Sequence, residues 1–562
     1  MCQAHIRQRQ LTDNKEIDVS GNSRTGAEII VDILIKAGVR HVFGIVSIHN
    51  MPIVDAISRT HGIELVTVRH ESSAAHMADG YARATGSLGV ALGSTGPGTT
   101  NLMTGLYESA FASSRMLAIT GQAETSFYGK GKGYVHEAEN QKLMLQTVAR
   151  SVASPRYPDE IGTMLVSVIE SILSGRPQPG AIEVPIDLQY ATTGAAVPAI
   201  HFADPVAPDA DVLSAAITLI GNAGKRVIIA GGGVSTVAAR NALQMFAEQI
   251  DAPVITTPNG KGSFPTDHPL HIGNILMRPP IKELVREADL VIAIGTRFQA
   301  GTSGIKIKLQ LPSMVHIDID PGTINLNFVA DVGMVSDAEL ALKALCESDF
   351  EKGDAQYREQ LQLESARTRT LFRERFGPDH TRALDIFSKY MGRDEFFVRD
   401  STIPGYNWGN SLLPIDHPGG YIYPTSGAIG PGFPLGLGVA VATGKKTIVM
   451  HGDGGFMFHV GELATAAQYQ IPVIVVIFND GGYGVLRGLQ YNQFDGRFNG
   501  TELHTPDFVK LAESMGVASL YADNTNELET RLAAAMEMAG PVLIEMNANN
   551  MIPIEGVIPA PS

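Results

Sequence analysis

The chain has 562 residues, of which 44% are hydrophobic and 18% are charged, and its formal net charge is −15. This length exceeds what one hydrophobic core can organise, so a compact protein of three or four domains is expected. The negative charge argues against nucleic acid and anionic membranes as main partners, and no uncharged apolar run reaches the ~20 residues of a membrane span. Cys2 and Cys346 are the only cysteines, which excludes a disulfide framework and favours the cytoplasm.

The first stretch, residues 1–24, is polar, carries charges of both signs and has no apolar segment. It is predicted to be a flexible N-terminal tail and not a signal peptide. From Thr25 onward, helix-periodic segments such as 27–37 alternate with short apolar strands such as 41–45. This alternation predicts a parallel α/β domain, which we assign to residues 25–190.

A linker rich in Ala, Pro and Asp, residues 191–211, leads into a second α/β unit that we place at residues 207–350. Its three glycines at 231–233 are a partial dinucleotide-binding fingerprint, which favours a structural turn and leaves a bound nucleotide moiety open. Residues 351–380 are highly charged and are predicted to form a helical linker. Residues 381–562 return to the α/β pattern, so the predicted fold class is α/β with three doubly wound parallel-sheet domains.

The most informative stretch is residues 447–484, whose pattern predicts a strand, a glycine turn, a helix and a second, parallel strand. Each strand ends in an acidic glycine turn, the first containing Asp453 and the second Asp480. At the carboxyl ends of parallel strands such turns form a ligand crevice, where glycines let backbone N–H groups approach a phosphate. One such turn is more often structural, but two carboxylates beside a phosphate are ligands that Mg²⁺ favours.

The turns GDGG at 452–455 and NDGG at 479–482 together resemble the metal–diphosphate motif of thiamine diphosphate (ThDP) enzymes. The resemblance implies ThDP and Mg²⁺ as cofactors, with the metal held by Asp453, Asp480 and the main-chain carbonyl of Gly482. Many family members carry Asn where this chain has Asp480. Further cofactor contacts are implied at four neighbouring positions: Gly452, Gly454, Gly455 and Tyr483.

A second segment, RHESSAAHMADGYAR at 69–83, places Glu71 where a predicted strand gives way to an alanine-rich helix. It resembles the pyrimidine-domain signature of ThDP enzymes, which implies that Glu71 contacts N1′ of the aminopyrimidine. Through the 4′-imino tautomer, this contact would promote formation of the nucleophilic C2 ylide. The stretch TSGAIG at 425–430 resembles the segment that bends the cofactor, which implies Ile429 as a catalytic apolar wedge and the Gly427 carbonyl as an acceptor for the 4′-amino group.

The order of these motifs over residues 25–550 is similar to that in the acetolactate synthase, benzoylformate decarboxylase and benzaldehyde lyase family. In that family the Glu and the diphosphate site come from different subunits. The resemblance therefore implies a homodimer or homotetramer with active sites between subunits. It also implies a small-molecule substrate: a 2-oxo acid, an aldehyde or a hydroxy ketone.

The substrate-side positions differ from those of acetolactate synthases. Leu489 occupies the position of a Trp that helps those enzymes select the second 2-oxo acid, and their Phe-Gln-Glu loop aligns with Val-His-Glu at 135–137. His49 resembles the active-site histidine of benzaldehyde lyase and is a candidate proton shuttle, although a histidine satisfied by backbone bonds fits equally well. Leu486 and Arg487 are predicted walls of the substrate pocket.

These patterns predict a ThDP- and Mg²⁺-dependent lyase or carboligase. Its C2 ylide would attack a 2-oxo acid or 2-hydroxy ketone, carbon dioxide or an aldehyde would leave, and the enamine would be protonated or would add to another carbonyl compound. The alternatives are an acetolactate synthase with structural FAD and a non-catalytic protein that retains the fold. The presence of Glu71, Asp453 and Ile429 argues against the non-catalytic alternative.

Overall fold

The computed structural model describes residues 23–299, 309–392 and 394–557. These residues contain three six-stranded sheets, each fully parallel and flanked by helices. The predicted fold class is therefore confirmed, whereas the boundaries assigned to the domains stay predictions. The predicted tail lies outside the described residues apart from its last two, and the second of these, Arg24, begins a short strand.

The N-terminal sheet has the order β3-β2-β4-β5-β7-β6, and two short strands, β1 and β8, pair antiparallel beside it. The strands of this region are β1 (Arg24–Thr25), β2 (His41–Gly44), β3 (Glu64–Thr67), β4 (Gly89–Gly93), β5 (Met116–Gln122), β6 (Ser151–Ala153), β7 (Gly180–Pro185) and β8 (Thr192–Thr193). Its helices are α1 (Gly26–Lys36), α2 (Met51–Arg59), α3 (Glu71–Thr85), α4 (Pro97–Ala112), α5 (Gln141–Gln146), α6 (Glu160–Leu173) and α7 (Ile186–Tyr190). β4 and β5 are buried at every position, as expected for a parallel sheet covered on both faces.

The central sheet has the order β11-β10-β9-β12-β13-β14. Its strands are β9 (Arg226–Ala230), β10 (Val254–Thr256), β11 (His271–Gly273), β12 (Leu290–Ile294), β13 (Ser313–Asp318) and β14 (Val332–Val335). The helices around it are α8 (Ala210–Asn222), α9 (Val237–Ile250), α10 (Pro279–Arg286) and α11 (Ala338–Cys346), with a 3₁₀ turn at Pro258–Gly260.

The charged segment that follows forms one long helix, α12 (Ala355–Ser388), which extends beyond the predicted linker. Its backbone leaves the helical conformation at Gly377, directly before Pro378, because proline cannot continue the hydrogen-bond ladder. The helix buries a stripe of side chains at helical spacing, so it packs along one face and is not a free connector. The stripe includes Tyr357, Leu361, Phe372 and Phe376.

The C-terminal sheet has the order β16-β15-β17-β18-β20-β19. Its strands are β15 (Phe397–Arg399), β16 (Tyr421–Ile422), β17 (Thr447–Gly452), β18 (Val473–Asn479), β19 (Ala518–Ala522) and β20 (Val542–Asn547). Its helices are α13 (Gly432–Thr443), α14 (Asp453–Phe456), α15 (Glu462–Gln468), α16 (Gly484–Gln493), α17 (Phe508–Ser514) and α18 (Thr525–Glu537). Short 3₁₀ turns lie at Met457–His459 and Ala548–Asn550, and a π-helical turn lies at Gly405–Gly409. Among the helices described, none is long and apolar enough to cross a membrane.

Candidate active site

The carboxyl ends of β17 and β18 form the floor of the candidate site. The two strands are parallel neighbours, with Gly452 opposite Phe478. Asp453 directly follows β17 and begins the one-turn helix α14, and Asp480 directly follows β18. The register of the two strands therefore brings both carboxylates to one edge of the sheet.

Asp453 is buried and Asp480 is half-buried, and both have incomplete hydrogen bonding. Asp453 is 1% exposed, and neither of its carboxylate oxygens has a hydrogen-bond partner among the described residues. The same holds for Oδ1 of Asp480. Burial, and then the charge of Asp480, raises the pKa of Asp453 to about 7, and burial also raises the pKa of Asp480. A bound cation would stabilise both ionised carboxylates, so the pair fits Mg²⁺.

The rest of the donor set is also suited to Mg²⁺. Across the described ranges, no group of three or more His, Cys, Asp and Glu side chains is placed to hold a metal. Two carboxylates leave the other positions to phosphate, water and main-chain carbonyls, a mixture that Mg²⁺ commonly takes. Gly482 is the candidate for the carbonyl. Its φ is 156°, and a Cβ there would lie 2.1 Å from the carbonyl oxygen of Thr501, so only glycine fits.

The first glycine turn leaves bare backbone beside the carboxylates. A Cβ on Gly454 would lie 2.8 Å from Cε1 of the Tyr483 ring, and a Cβ on Gly455 would lie 3.0 Å from Oδ1 of Asp400. A side chain at either position would crowd these neighbours, which favours glycine, and the N–H groups of glycine are not screened by a side chain from an approaching anion. The segment from Gly452 to Gly455 therefore fits a diphosphate.

Ile429 and Gly427 lie at the same place. Both line a cavity of about 1770 Å³ that is also lined by the predicted phosphate and metal residues Gly452, Asp453, Gly455, Asp480, Gly482 and Tyr483. Cγ2 of Ile429 lies 3.2 Å from the position that a Cβ on Gly455 would take. The tertiary structure thus gathers one complete half of the predicted site, with the proposed wedge beside the proposed diphosphate turn.

Arg487 differs from its predicted place in the substrate pocket. It is 1% exposed and does not line the cavity, whereas its neighbour Leu486 does. Its Nη2 lies 3.2 Å from Oδ2 of Asp480 and donates to the Asp480 carbonyl oxygen at 3.1 Å. Arg487 therefore balances the charge that distinguishes Asp480 from the Asn of many ThDP enzymes.

Glu71 is half-buried at the first position of α3. Its Oε2 accepts a hydrogen bond of 2.9 Å from Nδ2 of Asn101, and its Oε1 faces Gly98 at the start of α4. Neither Glu71 nor His49 lines the cavity that contains Asp453. Within one chain, Glu71 and His49 are therefore not part of the cavity that holds the predicted metal and diphosphate residues.

His49 is 1% exposed and makes few contacts through its ring. Its Nδ1 lies 3.3 Å from Oγ of Ser94, and its Nε2 has no partner among the described residues. The ring packs edge-on against Tyr134 and lies 5.3 Å from the His136 ring, centroid to centroid. Burial, and then the proximity of His136, lowers the pKa of His49 below its ordinary 6.5. We infer that His49 is neutral at pH 7 with one ring nitrogen free.

Replacing His136 with glutamine should raise the pKa of His49, because a neighbouring positive charge that opposes its protonation is removed. If His49 transfers protons, the acidic limb of the pH profile of kcat/KM should therefore move to higher pH. Tyr134→Phe is the matched control, since it changes the same ring cluster without changing charge, and its limb should stay in place. If the acidic limb of the profile did not move in the His136 variant, the limb would report the protonation of a group other than His49.

Gln141 is a buried polar residue that the sequence pattern did not single out. Its Oε1 accepts from Thr95 Oγ1 and Gly96 N, each at 2.9 Å, and its Nε2 donates to Gly121 O and Glu183 Oε2, each at 3.0 Å. By contrast, His136, which we aligned with the glutamine of the acetolactate synthase loop, is exposed. Gln141 is thus a buried glutamine of this region, together with Gln122, which donates to the same Glu183 oxygen. In the helix sequence QKLMLQ nothing distinguishes Gln141 from its polar neighbours, so no local signal pointed to its burial.

Comparison with known proteins gives matches over all three regions. The family models for the thiamine pyrophosphate enzyme match residues 24–144 (N-terminal TPP binding domain), 213–345 (central domain) and 406–546 (C-terminal TPP binding domain). The chain is 32% identical to the probable 2-ketoarginine decarboxylase AruI of Pseudomonas aeruginosa, covering 93% of this chain and 94% of the relative. It is 32% identical to a probable acetolactate synthase large subunit of Methanococcus aeolicus, covering 94% and 93%, respectively.

A third relative is the acetolactate synthase isozyme 3 large subunit of Escherichia coli, which is 29% identical over 91% of this chain and 92% of the relative. These matches span nearly the whole chain and include both TPP-binding domains, so ThDP is the cofactor. The resemblance found in the motifs is confirmed: this chain belongs to the thiamine pyrophosphate enzyme family and is a ThDP-dependent lyase or transferase.

Proposed function

We propose that the protein is a ThDP- and Mg²⁺-dependent carbon–carbon lyase or carboligase that acts on 2-oxo acids or 2-hydroxy ketones. Bound ThDP supplies a nucleophilic carbon that attacks the substrate carbonyl and then accepts the electron pair left by departing carbon dioxide or aldehyde. In this proposal Asp453, Asp480 and the Gly482 carbonyl hold the metal, and Ile429 keeps the cofactor bent. Glu71 holds a proton at the pyrimidine ring.

The lining of the cavity supports a lyase or decarboxylase over acetolactate synthase. Leu486 and Leu489 line it, and Leu489 takes the place of the Trp by which acetolactate synthases select a second 2-oxo acid. The chain's single tryptophan, Trp408, is fully buried and donates to Nδ1 of His380 at 3.4 Å. No tryptophan is thus available to form that selecting contact.

His49 supports the same proposal. A neutral imidazole with one free nitrogen accepts a proton from a substrate hydroxyl and returns it later, which both cleavage and formation of a hydroxy ketone require. The similarity to a probable 2-ketoarginine decarboxylase supports 2-oxo acids as a substrate class, because 2-ketoarginine is a 2-oxo acid.

We also propose that two copies of the chain complete each active site, because Glu71 and His49 lie away from the cavity containing Asp453. A homodimer is then the smallest working unit, and a homotetramer contains two such pairs. With two cysteines in the chain, the cytoplasm is the compartment that we propose.

The proposal is tested by turnover of a substrate panel with Mg²⁺ and ThDP present. The panel contains pyruvate, benzoylformate, 2-ketoarginine, benzoin and acetoin, and the readouts are carbon dioxide, aldehyde and hydroxy ketone. We expect release of carbon dioxide from a 2-oxo acid or of aldehyde from a hydroxy ketone as the main reaction. Acetolactate as the dominant product from pyruvate would contradict the proposal.

A second candidate is acetolactate synthase with structural FAD, and one observation favours it. The same cavity extends into the central region along Gly232, Gly233 and Gly295. Its wall carries six arginines: Arg83, Arg115, Arg176, Arg278, Arg297 and Arg399. Such a wall suits a phosphorylated ligand even though the chain is acidic overall. A flavin absorbance band in the purified protein would support this candidate, and a colourless preparation would contradict it.

A further inference from the structure

Two buried glutamates accept hydrogen bonds across the contact between the N-terminal and C-terminal regions. One lies in the N-terminal region and the other in the C-terminal region. Glu108, on α4, is 0% exposed, and Glu462, at the start of α15, is 1% exposed. Neither belongs to a predicted catalytic motif. Each accepts hydrogen bonds from backbone N–H groups of the other region, beside a residue with a proposed cofactor contact.

Glu108 holds the loop that carries the proposed wedge. Its Oε1 accepts from the backbone N of Thr425 at 2.6 Å, and its Oε2 accepts from the backbone N of Ser426 at 3.1 Å and from the Ser426 hydroxyl. These partners lie directly before Gly427 and four residues or fewer before Ile429. Arg83, whose Nη1 is 3.6 Å from Oε1, balances the buried charge.

The far side of the same loop is held from within its own region. Asp400 is 0% exposed and accepts from the backbone N of Gly430 at 3.0 Å and from that of Gly432 at 2.7 Å. The loop from Thr425 to Gly430 is thus fixed by a carboxylate at each end. Only the one at the Thr425 end, Glu108, comes from the other region.

Glu462 makes the reverse contact at the segment before Glu71. Its Oε1 accepts from the backbone N of Arg69 at 3.0 Å and from that of His70 at 3.2 Å, and its Oε2 accepts from Thr465 Oγ1 at 2.6 Å. This segment is the elbow between β3 and α3. The position of this elbow determines where Glu71, the first residue of α3, lies relative to the sheet.

The contact between the two regions is close enough to transmit small displacements. α3 packs on α13 with backbone against backbone: a Cβ on Gly80 would lie 2.1 Å from Leu435 O, and a Cβ on Gly438 would lie 2.0 Å from Met77 O. Densely packed contacts of this kind do not deform smoothly. A misplacement of about 1 Å in a catalytic group is sufficient to slow a reaction ~100-fold.

We propose that Glu108 and Glu462 are reciprocal positioning residues. Glu108 fixes the Gly427–Ile429 loop, and Glu462 fixes the elbow that carries Glu71. The inference rests on the cofactor contacts proposed above for Glu71, Gly427 and Ile429. Because those two groups of residues serve different half-sites, each region of the chain positions a proposed cofactor contact of the other region.

Glutamine is the informative replacement for Glu108, and alanine is the informative replacement for Glu462. At position 108 the two carboxylate oxygens each accept from a different backbone N–H group, so the NH₂ group of a glutamine must face one of these donors. At position 462 one oxygen accepts both backbone N–H groups, so a glutamine could keep both bonds, whereas alanine removes the acceptor. In the cofactor-free protein, amide hydrogen exchange should rise about 10-fold or more at residues 423–430 in Glu108→Gln and at residues 67–72 in Glu462→Ala. Each variant should leave the other segment unchanged.

The second readout is exchange of the C2 proton of bound ThDP. It should slow ~10–100-fold in both variants, as is typical for loss of a supporting hydrogen bond, while the Kd for ThDP with Mg²⁺ changes little because the metal and diphosphate contacts are intact.

Glu160→Gln is the matched control, since Glu160 accepts from the backbone N of Arg156 at 2.7 Å on α6, away from the site. It should leave all three readouts unchanged. Ser426→Ala removes the hydroxyl that donates to Glu108 and accepts from the backbone N of Ala428 at 3.3 Å, while both backbone bonds to Glu108 stay, so it should shift the Glu108 readouts in the same direction by less.

The outcomes separate the inference from the function on which it rests. Unchanged amide exchange in both segments would overturn the positioning role outright. Faster amide exchange with normal C2 proton exchange would show a purely structural contact and would also overturn it. If the wild-type protein failed to exchange the C2 proton, the proposed roles of Glu71 and Ile429 would fail, whereas the amide exchange of the cofactor-free protein would still decide whether the carboxylates fix the two segments.

Discussion

Replacing Glu71 with glutamine should slow C2 proton exchange of bound ThDP by ~10²–10⁴-fold, the range that a positioned acid–base group contributes. The glutamine cannot take up or release the proton at N1′ of the pyrimidine. Its side-chain oxygen can still accept from Nδ2 of Asn101, as Glu71 Oε2 does at 2.9 Å, so the local fold should persist. The measurement is hydrogen–deuterium exchange at C2 in acid-quenched samples.

Affinity for ThDP separates this role from a general loss of structure. Calorimetry with Mg²⁺ should give a Kd close to that of the wild type, because the metal and diphosphate contacts lie in the other half-site. Glu64→Gln, at an exposed position on β3, is the control and should leave exchange unchanged. Normal exchange in the Glu71 variant would refute the assigned role.

Replacing Asp453 with asparagine should abolish the stabilisation that Mg²⁺ and ThDP give to the wild-type protein. A ligand at 100 times its Kd stabilises the folded state by about 2.7 kcal/mol, which thermal unfolding resolves. The variant loses the charge that binds the cation, so it should unfold at the same temperature with and without the two ligands. Asp495→Asn, in an exposed position, should behave as the wild type.

The same variant should be less sensitive to pH in the cofactor-free state. The pKa of Asp453 is raised from 3.8 to about 7, so between these values the folded protein holds a proton that the unfolded chain has released. Stability at this site therefore falls as pH rises through that window, and the full penalty applies above about pH 7. Asparagine removes this dependence. The proposed metal and diphosphate site would be contradicted if Mg²⁺ and ThDP did not raise the unfolding temperature of the wild-type protein.

Mixing the two inactive variants tests the arrangement of half-sites between subunits. In a hybrid dimer, the chain with Asp453→Asn still contributes Glu71, and the chain with Glu71→Gln still contributes Asp453, so one active site is intact. Random re-pairing should restore about a quarter of the wild-type sites. Mixtures that stay inactive after exchange of subunits would place both residues in one chain's site.

Much of the fold follows from local patterns. The run VIVVIFN, which became β18, is buried except at its last residue, and its β-branched and aromatic composition predicts a parallel strand covered on both faces. The acidic glycine turns after β17 and β18 then meet at one edge, because parallel strands align their carboxyl ends. The strand His41–Gly44 and the helix Glu71–Thr85 also lie within a residue or two of their predicted positions.

The sequence by itself therefore determined the three parallel sheets and the positions of Asp453 and Asp480 at adjoining strand ends, since periodicity and turn chemistry act over a few residues. The cofactor followed from the resemblance of the motifs to those of ThDP enzymes. Only the tertiary structure decided that Arg487 pairs with Asp480, that Gln141 is buried, and that Glu71 does not line the cavity of Asp453. The tertiary structure alone also showed that Glu108 accepts a hydrogen bond from the backbone N of Thr425, which is 317 residues away in the sequence. Such contacts depend on how domains pack, and no local pattern of hydrophobic and polar residues records which distant backbone N–H group a buried carboxylate will meet.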